Sequence, residues 1–196
     1  YRLVGQTIDD AAGEAFDKVA RFLDLGYPGG PAIDVAALDG DPEAIRFPRA
    51  MMDDGYDFSF SGLKTSVMNY VRKHPDVSSQ DVAASFQAAL VDVLVTKARR
   101  AAAEVGATGI VLGGGVAANS LLREQVLDAC ERDGIQGFLP SRSMCTDNAA
   151  MIGSAARLES ARHAAAGISA SGVSPPPAIA TRTPADTRSA IDVSTI

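Results

Sequence analysis

A strand that runs into three glycines and then into a helix is the feature that most restricts the folds open to this sequence. The apolar run 108–112 predicts a short buried strand, and residues 113–115, all glycine, follow it directly. Helical spacing then extends over about residues 117–132, and a second strand covers residues 135–139. Two strands joined by a helix indicate a βαβ unit, so we expect an α/β protein with a parallel or mixed sheet.

The first hundred residues have a mainly helical pattern. Apolar residues at three- and four-residue spacing predict four helices, with Thr7 as the N-cap of the first and a Gly- and Pro-rich turn after it. The predicted helices cover about residues 8–25, 33–38, 62–73 and 79–105. A short extended segment precedes the third, and Ser78 to Asp81 give a capping signal for the fourth. We therefore expect a helical segment, residues 1–106, followed by an α/β segment, residues 107–166.

The two ends of the chain differ in their expected order. A last helix is predicted at about residues 147–164, and beyond Gly167 the sequence is rich in Ser, Pro, Ala and Thr. Such a segment buries little apolar surface, so we expect residues 167–196 to form a disordered tail. The chain begins at Tyr1 within an ordered-looking pattern, and we expect a further part of the protein upstream of it.

Composition and charge narrow the class of protein. Apolar residues make up 46% of the chain, with no apolar run long enough to span a bilayer and no signal-peptide pattern. We interpret the two cysteines, Cys130 and Cys145, as free thiols, and we expect a cytoplasmic protein. The net charge of −6 disfavours an autonomous nucleic-acid binder, because such proteins are usually basic.

Two groups of basic residues could still contact RNA locally. One consists of Lys64, Arg72 and Lys73, and the other of Lys97, Arg99 and Arg100. Each group is also typical of a solvated helix end, which is the interpretation we favour. An RNA substrate would then be held largely by other surfaces or by a partner.

The glycine turn is the strongest indication of chemistry. A strand that enters glycines and then a helix brings backbone N–H groups close to a ligand, without intruding side chains and near a helix N-terminus. Gly113, Gly114 and Gly115 therefore predict a phosphate- or adenosine-binding turn, and Asn119 could bond a sugar hydroxyl. Tight backbone packing is the alternative interpretation of the same glycines. The turn matches neither the P-loop nor the Rossmann pattern.

Carboxylates at helix ends are weaker candidates. Asp147 follows a strand and a loop, so it is either an ordinary N-cap or a carboxylate that faces a metal or phosphate at the sheet edge. Asp17 and Asp34 flank the turn that contains Gly30. As an alternative to a ligand contact, Asp17 is typical of a solvated helix face and Asp34 of an N-cap. Neither histidine has a partner at metal-ligand spacing.

Four segments resemble, in order, a known protein family. They are GQTIDDAAGEAFDKVARFLDLGYPGGPAID (5–34), FSFSGLKTSV (58–67), IVLGGGVAANSLLR (110–123) and CTDNAAMIG (145–153). The family is that of the tRNA N6-adenosine threonylcarbamoyltransferases, the bacterial TsaD or Gcp proteins formerly described as O-sialoglycoprotein endopeptidases. The resemblance covers about residues 3–160. No Ser-His-Asp or Cys-His set supports the peptidase description.

The resemblance implies a fold, an activity and partners. The fold would be that of the actin-like, Hsp70-like ATPase superfamily, here incomplete, with a helical subdomain followed by the βαβ unit. The activity would be transfer of a threonylcarbamoyl group from threonylcarbamoyl-AMP to N6 of adenosine 37 in tRNAs that read codons beginning with A. The other subunits of the machinery, TsaB- and TsaE-like proteins, would be partners.

The resemblance also implies site residues. Asp17, Gly30, Asp34 and Asn119 would contact the adenylate, and Asp147 would bind a divalent metal, Fe(2+), together with two histidines of an HxxxH motif. That motif does not occur in this sequence, so we expect this chain alone to be inactive. No residue is assigned as catalytic.

Two other functions are compatible with parts of the pattern. A sugar-kinase relative would share the glycine turn, although the FSFSGLKT and CTDN segments disfavour it. A chain that only binds partner subunits would explain the absent motif.

Overall fold

The computed structural model describes residues 2–145, 157 and 190–192, and it is helical with a small parallel sheet. The α-helices are α1 (Ala12–Phe22), α2 (Gly29–Ala36), α3 (Ser61–Lys73), α4 (Ser79–Val105) and α5 (Ser120–Asp133). The strands are β1 (Gly109–Val111), β2 (Gln136–Phe138) and β3 (Ala190–Asp192). Short 3₁₀ turns occupy Ala37–Asp39, Gly115–Ala118 and Arg142–Met144. Apart from residue 157, the predicted helix at 147–164 lies outside the described residues.

The sheet confirms the predicted βαβ unit. Strand β1 lies in the centre, with β2 on one side and β3 on the other, and both pairings are parallel. Helix α5 connects β1 to β2, and Ile110 of β1, which is almost fully buried, pairs with Gly137. Gly134, with φ +69°, ends α5 as the sequence predicts.

Strand β3 departs from the expected disorder of residues 167–196. Residues 190–192 pair with β1 in parallel register, Ile110 opposite Ile191. Pairing with a central strand satisfies backbone groups of the partner segment, and this gain depends on tertiary contacts that composition does not reveal. The rest of the expected tail lies outside the described residues.

Helix α4 is the central helix of the hydrophobic core. Its 27 residues are buried along most of their length, and Phe86 meets Phe16 of α1 edge-to-face at a centroid distance of 5.4 Å. The Ser78 hydroxyl accepts the Asp81 N–H, and Gly106, with φ +64°, closes the helix. Both boundaries are those that the capping pattern predicts.

Helix α1 begins later than the sequence predicts. Thr7 is not its N-cap, because Thr7 forms a parallel bridge with Phe58 and its hydroxyl donates to the Asp10 carbonyl. The Asp9 carboxylate instead accepts the N–H groups of Phe60 and Ser61 at the start of α3. A tertiary contact across about fifty residues therefore keeps this backbone extended, although its apolar spacing alone would favour a helix.

Helix α2 begins earlier than the sequence predicts. The pattern indicates a turn at Gly29 and Gly30 and a helix from residue 33, but both glycines lie in the first turn of α2. Asp34 consequently lies inside α2 rather than opening it. Helix α2 packs so closely on α1 that a Cβ at residue 29 would lie 2.4 Å from the Asp17 Cα, so glycine is required there for packing.

The second basic group includes one core residue, Lys97, beside two partly exposed arginines. Lys97 is 1% exposed, and its Nζ donates to the carbonyls of Asp54 and Asp57 at 2.9 and 2.5 Å. Arg99 forms an ion pair with Asp133, and Arg100 donates to carbonyls of the 52–55 loop. These cations hold the loop and α5 against α4. The burial of Lys97 corrects its interpretation both as an RNA contact and as a solvated helix end, whereas Arg99 and Arg100 stay partly open to solvent.

Within the described residues, no helix combines the length and the apolarity that crossing a membrane requires.

Candidate functional site

The glycine turn connects β1, through a short 3₁₀ turn, to the start of α5. Gly114 has φ +75° and ψ 177°, a conformation that side chains rarely adopt, so this glycine is needed for the backbone path. A 3₁₀ turn follows, and α5 begins at Ser120 with Asn119 as its N-cap. The helix thus begins three residues after the predicted position.

A cavity of about 670 Å³ lies between this turn and helices α1 and α2. Its walls include every predicted substrate-binding residue, namely Asp17, Gly30, Asp34, Gly113, Gly114, Gly115 and Asn119. Apolar side chains of α1, α2, α4 and α5 contribute much of the remaining surface, and Arg142 also lines it. Asp147, the predicted metal ligand, lies outside the described residues.

Asp17 joins the two helices beside the cavity. Its carboxylate accepts the backbone N–H of Gly29 at 2.8 Å, which satisfies one of the free N–H groups at the start of α2. The neighbouring Gly30 has no atom within 4 Å of the position its Cβ would take. The start of α2 therefore makes a tight contact with α1 at Gly29 and leaves an open wall at Gly30.

Asp34 is fixed by the beginning of α5. Its carboxylate accepts the Ser120 N–H at 3.1 Å, the Ser120 hydroxyl at 2.7 Å and the Asn119 amide at 3.2 Å. Three donors hold one partly buried carboxylate, so its position in the cavity wall is defined.

Asn119 has a structural role that the sequence does not reveal. It is 5% exposed, and its Oδ1 accepts the Leu122 N–H at 2.9 Å as an N-cap. Its Nδ2 donates to Gln87 and Asp34 at 2.8 and 3.2 Å. Asn119 thus links α5 to α2 and α4, so it shapes the cavity as well as lining it.

Three residues of the site escape sequence reasoning. Gln87 is 5% exposed on α4 and bonds Asn119, Ser120 bonds Asp34, and Arg142 lies in the cavity wall. A glutamine within the apolar surface of a buried helix is a signal that could have identified Gln87. No such signal identifies Ser120 or Arg142. Each reaches the cavity only because the start of α5 and the 142–144 turn pack near α2.

The described residues do not by themselves fit a divalent metal. Within residues 2–145, 157 and 190–192, no group of three His, Cys, Asp or Glu side chains is placed to hold a metal ion. Asp147, the ligand that the resemblance implies, lies outside those residues, and so does the histidine His163.

Comparison with known proteins places these features in context. The family profile TsaD, described as tRNA N6-adenosine threonylcarbamoyltransferase, matches residues 1–154. Proteins of that name from Geotalea daltonii and Thermotoga neapolitana are 55% and 56% identical over 157 and 151 residues. Another, from Moorella thermoacetica, is 56% identical over 160 residues.

The similarity is close but covers only part of each relative. The three matches cover 78%, 76% and 79% of this chain and 46%, 46% and 47% of the respective relatives. The chain therefore spans about half the length of the curated relatives it matches.

A solved structure shares the fold at lower sequence identity. The crystal structure of HypF from T. kodakarensis matches with a TM-score of 0.56 and 21% identity. The match covers 77% of this chain and 20% of that protein, and at this identity it indicates the fold alone.

Proposed function

Because the chain belongs to the tRNA N6-adenosine threonylcarbamoyltransferase family, we propose that it supplies the adenylate-binding half of such an enzyme. The reaction transfers a threonylcarbamoyl group from threonylcarbamoyl-AMP to N6 of adenosine 37 in tRNAs that read codons beginning with A. The observation that carries this proposal is the cavity, which gathers all seven predicted substrate-binding residues from three separate stretches of sequence.

The cavity chemistry suits an adenylate. Apolar side chains such as Phe16, Val35 and Leu122 offer a surface for a purine ring, as in most small-molecule sites. Asp17 and Asp34 place carboxylate oxygens where ribose hydroxyls can donate to them. The glycine turn leaves room for a close backbone approach to the ligand.

The transfer itself needs positioning more than a protein nucleophile. The N6 amine attacks the carbamoyl carbon, a C–N bond forms, and the bond from that carbon to the phosphate oxygen breaks. AMP leaves with the electron pair, and N6 releases one proton to solvent. A cavity that holds the AMP part fixes the reacting carbonyl in place, which lowers the entropic part of the barrier.

The finer assignments form part of the same proposal. The fold would be the actin-like, Hsp70-like one, with the second half of the site outside this sequence. Asp147 would contribute one ligand to Fe(2+), and TsaB- and TsaE-like proteins would be partners in the cytoplasm. These assignments rest on the resemblance of the sequence motifs to the transferase family.

The experiment is a transfer assay with the complete natural protein, its partner subunits, synthetic threonylcarbamoyl-AMP and unmodified tRNA. We expect threonylcarbamoyladenosine in digested tRNA, detected by mass spectrometry, and one AMP released for each group transferred. Asp34→Asn should lower kcat/KM by roughly tenfold or more, because a charged hydrogen-bond acceptor for the ligand is lost.

Asp39→Asn provides the matched control. Asp39 is exposed just beyond α2 and does not line the cavity, so this variant should retain wild-type activity. Sugar-dependent ATP hydrolysis without tRNA modification would refute the proposal and favour the kinase interpretation.

A further inference from the structure

Arg142 brings a positive charge to a cavity whose other charged groups are carboxylates. Within the described part of the chain, the charged side chains of the cavity wall are Asp17, Asp34 and Arg142. The resemblance to the transferase family does not assign a role to Arg142. A cation in this position suggests a contact with an anionic part of the ligand.

The Arg142 guanidinium is held at one point and retains unused donors. One of its terminal nitrogens donates to the Ser120 hydroxyl at 2.9 Å, and that hydroxyl donates to Asp34. Arg142 is exposed and forms no ion pair with any described residue. A guanidinium has five N–H groups, so most of its donors can still face a ligand.

The backbone that carries Arg142 is anchored in the core. Residues 142–144 form a 3₁₀ turn, and the Cys145 N–H donates to the Arg142 carbonyl. Cys145 is 4% exposed and belongs to the hydrophobic core, and its thiol donates to the Ser141 carbonyl at 3.5 Å. The buried cysteine thus fixes the turn that presents Arg142 at the cavity.

Charge determines which part of a ligand Arg142 can serve. Asp17 and Asp34 accept hydrogen bonds and repel an anion, so they suit hydroxyl groups. An anionic group in the same cavity needs a compensating cation, and a guanidinium is well matched to phosphate oxygens. Arg142 is the described cavity residue that can provide this contact.

We propose that Arg142 binds the 5′-phosphate of a nucleoside monophosphate in this cavity and thereby favours AMP over adenosine. The proposal rests on the proposed function, since it takes the cavity to be the adenylate site. Ser120 acts as the link that holds the guanidinium beside Asp34, so that one hydrogen-bonded chain connects the hydroxyl-binding and phosphate-binding groups.

The test compares two probes, AMP and adenosine, by isothermal titration of the complete natural protein. Wild type should bind AMP more tightly than adenosine. In Arg142→Gln the AMP affinity should fall by roughly tenfold while adenosine affinity stays within about twofold, because only the phosphate loses a charged partner. Arg142→Lys should retain part of the preference, since it keeps the charge without the planar fork.

Arg132→Gln is the matched control for the loss of one positive charge. Arg132 lies in the last turn of α5, at the opposite end from Ser120, and does not line the cavity. This variant should leave the ratio of AMP to adenosine affinity unchanged.

The remaining outcomes separate the two proposals. An equal loss of AMP and adenosine affinity in Arg142→Gln would refute the phosphate contact, because Arg142 would then only shape the cavity. Unchanged affinities for both probes in that variant would refute it as well, while leaving the adenylate site intact. Wild-type protein that binds neither probe would refute the proposed function together with this inference.

Discussion

Asn119 and Asp34, 85 residues apart in sequence, share a hydrogen bond of 3.2 Å that joins the start of α5 to the middle of α2. The same asparagine caps α5 through Leu122 and bonds Gln87 of α4. The start of α5 and α2 are therefore joined by hydrogen bonds into one wall of the cavity. A residue that sequence alone presents as a ligand contact is also a structural connection between three helices.

Asn119→Ala and Asn119→Ser distinguish these two roles. Alanine removes both the N-cap and the amide bonds, so the free energy of unfolding should fall by about 1–2 kcal/mol. Serine is a comparably good N-cap, so it should restore about 1 kcal/mol of that loss without restoring the bonds to Asp34 and Gln87. Urea unfolding of the complete natural protein measures both values.

AMP titration of the same variants completes this test. Both substitutions should weaken AMP binding, because Asp34 loses its amide partner in each. If Asn119→Ala and Asn119→Ser were equally stable, the cap would contribute nothing, and the structural role of Asn119 would be restricted to the cavity.

Gly29 and Gly30 are adjacent residues with opposite expected responses to alanine. A Cβ at position 29 would lie 2.4 Å from the Asp17 Cα and 2.7 Å from the Phe16 carbonyl oxygen, so Gly29→Ala should force α2 away from α1. At position 30 the Cβ would meet no atom within 4 Å, and Gly30 lines the cavity. Gly30→Ala should therefore preserve the fold and weaken ligand binding.

The pair provides its own control. We expect Gly29→Ala to lower the melting temperature by several degrees, whereas Gly30→Ala should leave it unchanged or raise it, because alanine favours helix by up to about 1 kcal/mol. Titration of Gly30→Ala with AMP should show a loss of roughly tenfold, since a methyl group occupies ligand space. A Gly30→Ala protein with full AMP affinity would place the ligand away from the α2 wall.

The elements that sequence predicts well are those whose signals are local. Helix α4 follows its capping serine and terminal glycine, and the βαβ unit follows from an apolar run, three glycines and a second short strand. Their boundaries depend on backbone preferences that a few neighbouring residues determine.

The elements that sequence predicts poorly depend on distant partners. The start of α1 is displaced because Thr7 pairs with Phe58, and α2 starts early because Asp17 accepts the Gly29 N–H. Strand β3 forms against β1 from a segment whose composition indicates disorder. In each case a long-range contact outweighs a local propensity of less than about 1 kcal/mol per residue.

The candidate site divides in the same way. The family resemblance supplies Asp17, Gly30, Asp34 and Asn119, and the cavity contains all four. Gln87 and Arg142 reach the site only through the packing of α4 and of the 142–144 turn. No local motif predicts this packing. The role of Asp147 stays a prediction.

Asp9 provides a pH-dependent prediction. Burial raises the pKa of Asp9, but hydrogen bonds from the Ser59 and Ser61 hydroxyls and from the Phe60 and Ser61 N–H groups outweigh it and lower the pKa to about 2. Because the folded-state pKa lies below the reference value of 3.8, the unfolded chain binds the proton first on acidification. The stability that Asp9 contributes is complete above about pH 4 and is lost as the pH falls towards 2.

Asp9→Asn should remove this part of the pH dependence. The asparagine Oδ1 can still accept the Phe60 and Ser61 N–H groups, so the start of α3 should remain capped while the titration disappears. Urea unfolding of the complete natural protein between pH 5 and pH 3 should then give a smaller loss of stability for Asp9→Asn than for wild type. Asp76→Asn, at an exposed carboxylate outside this contact, should retain the wild-type slope. Identical slopes for Asp9→Asn and wild type would mean that the carboxylate does not hold α3 in solution, and the late start of α1 would need another cause.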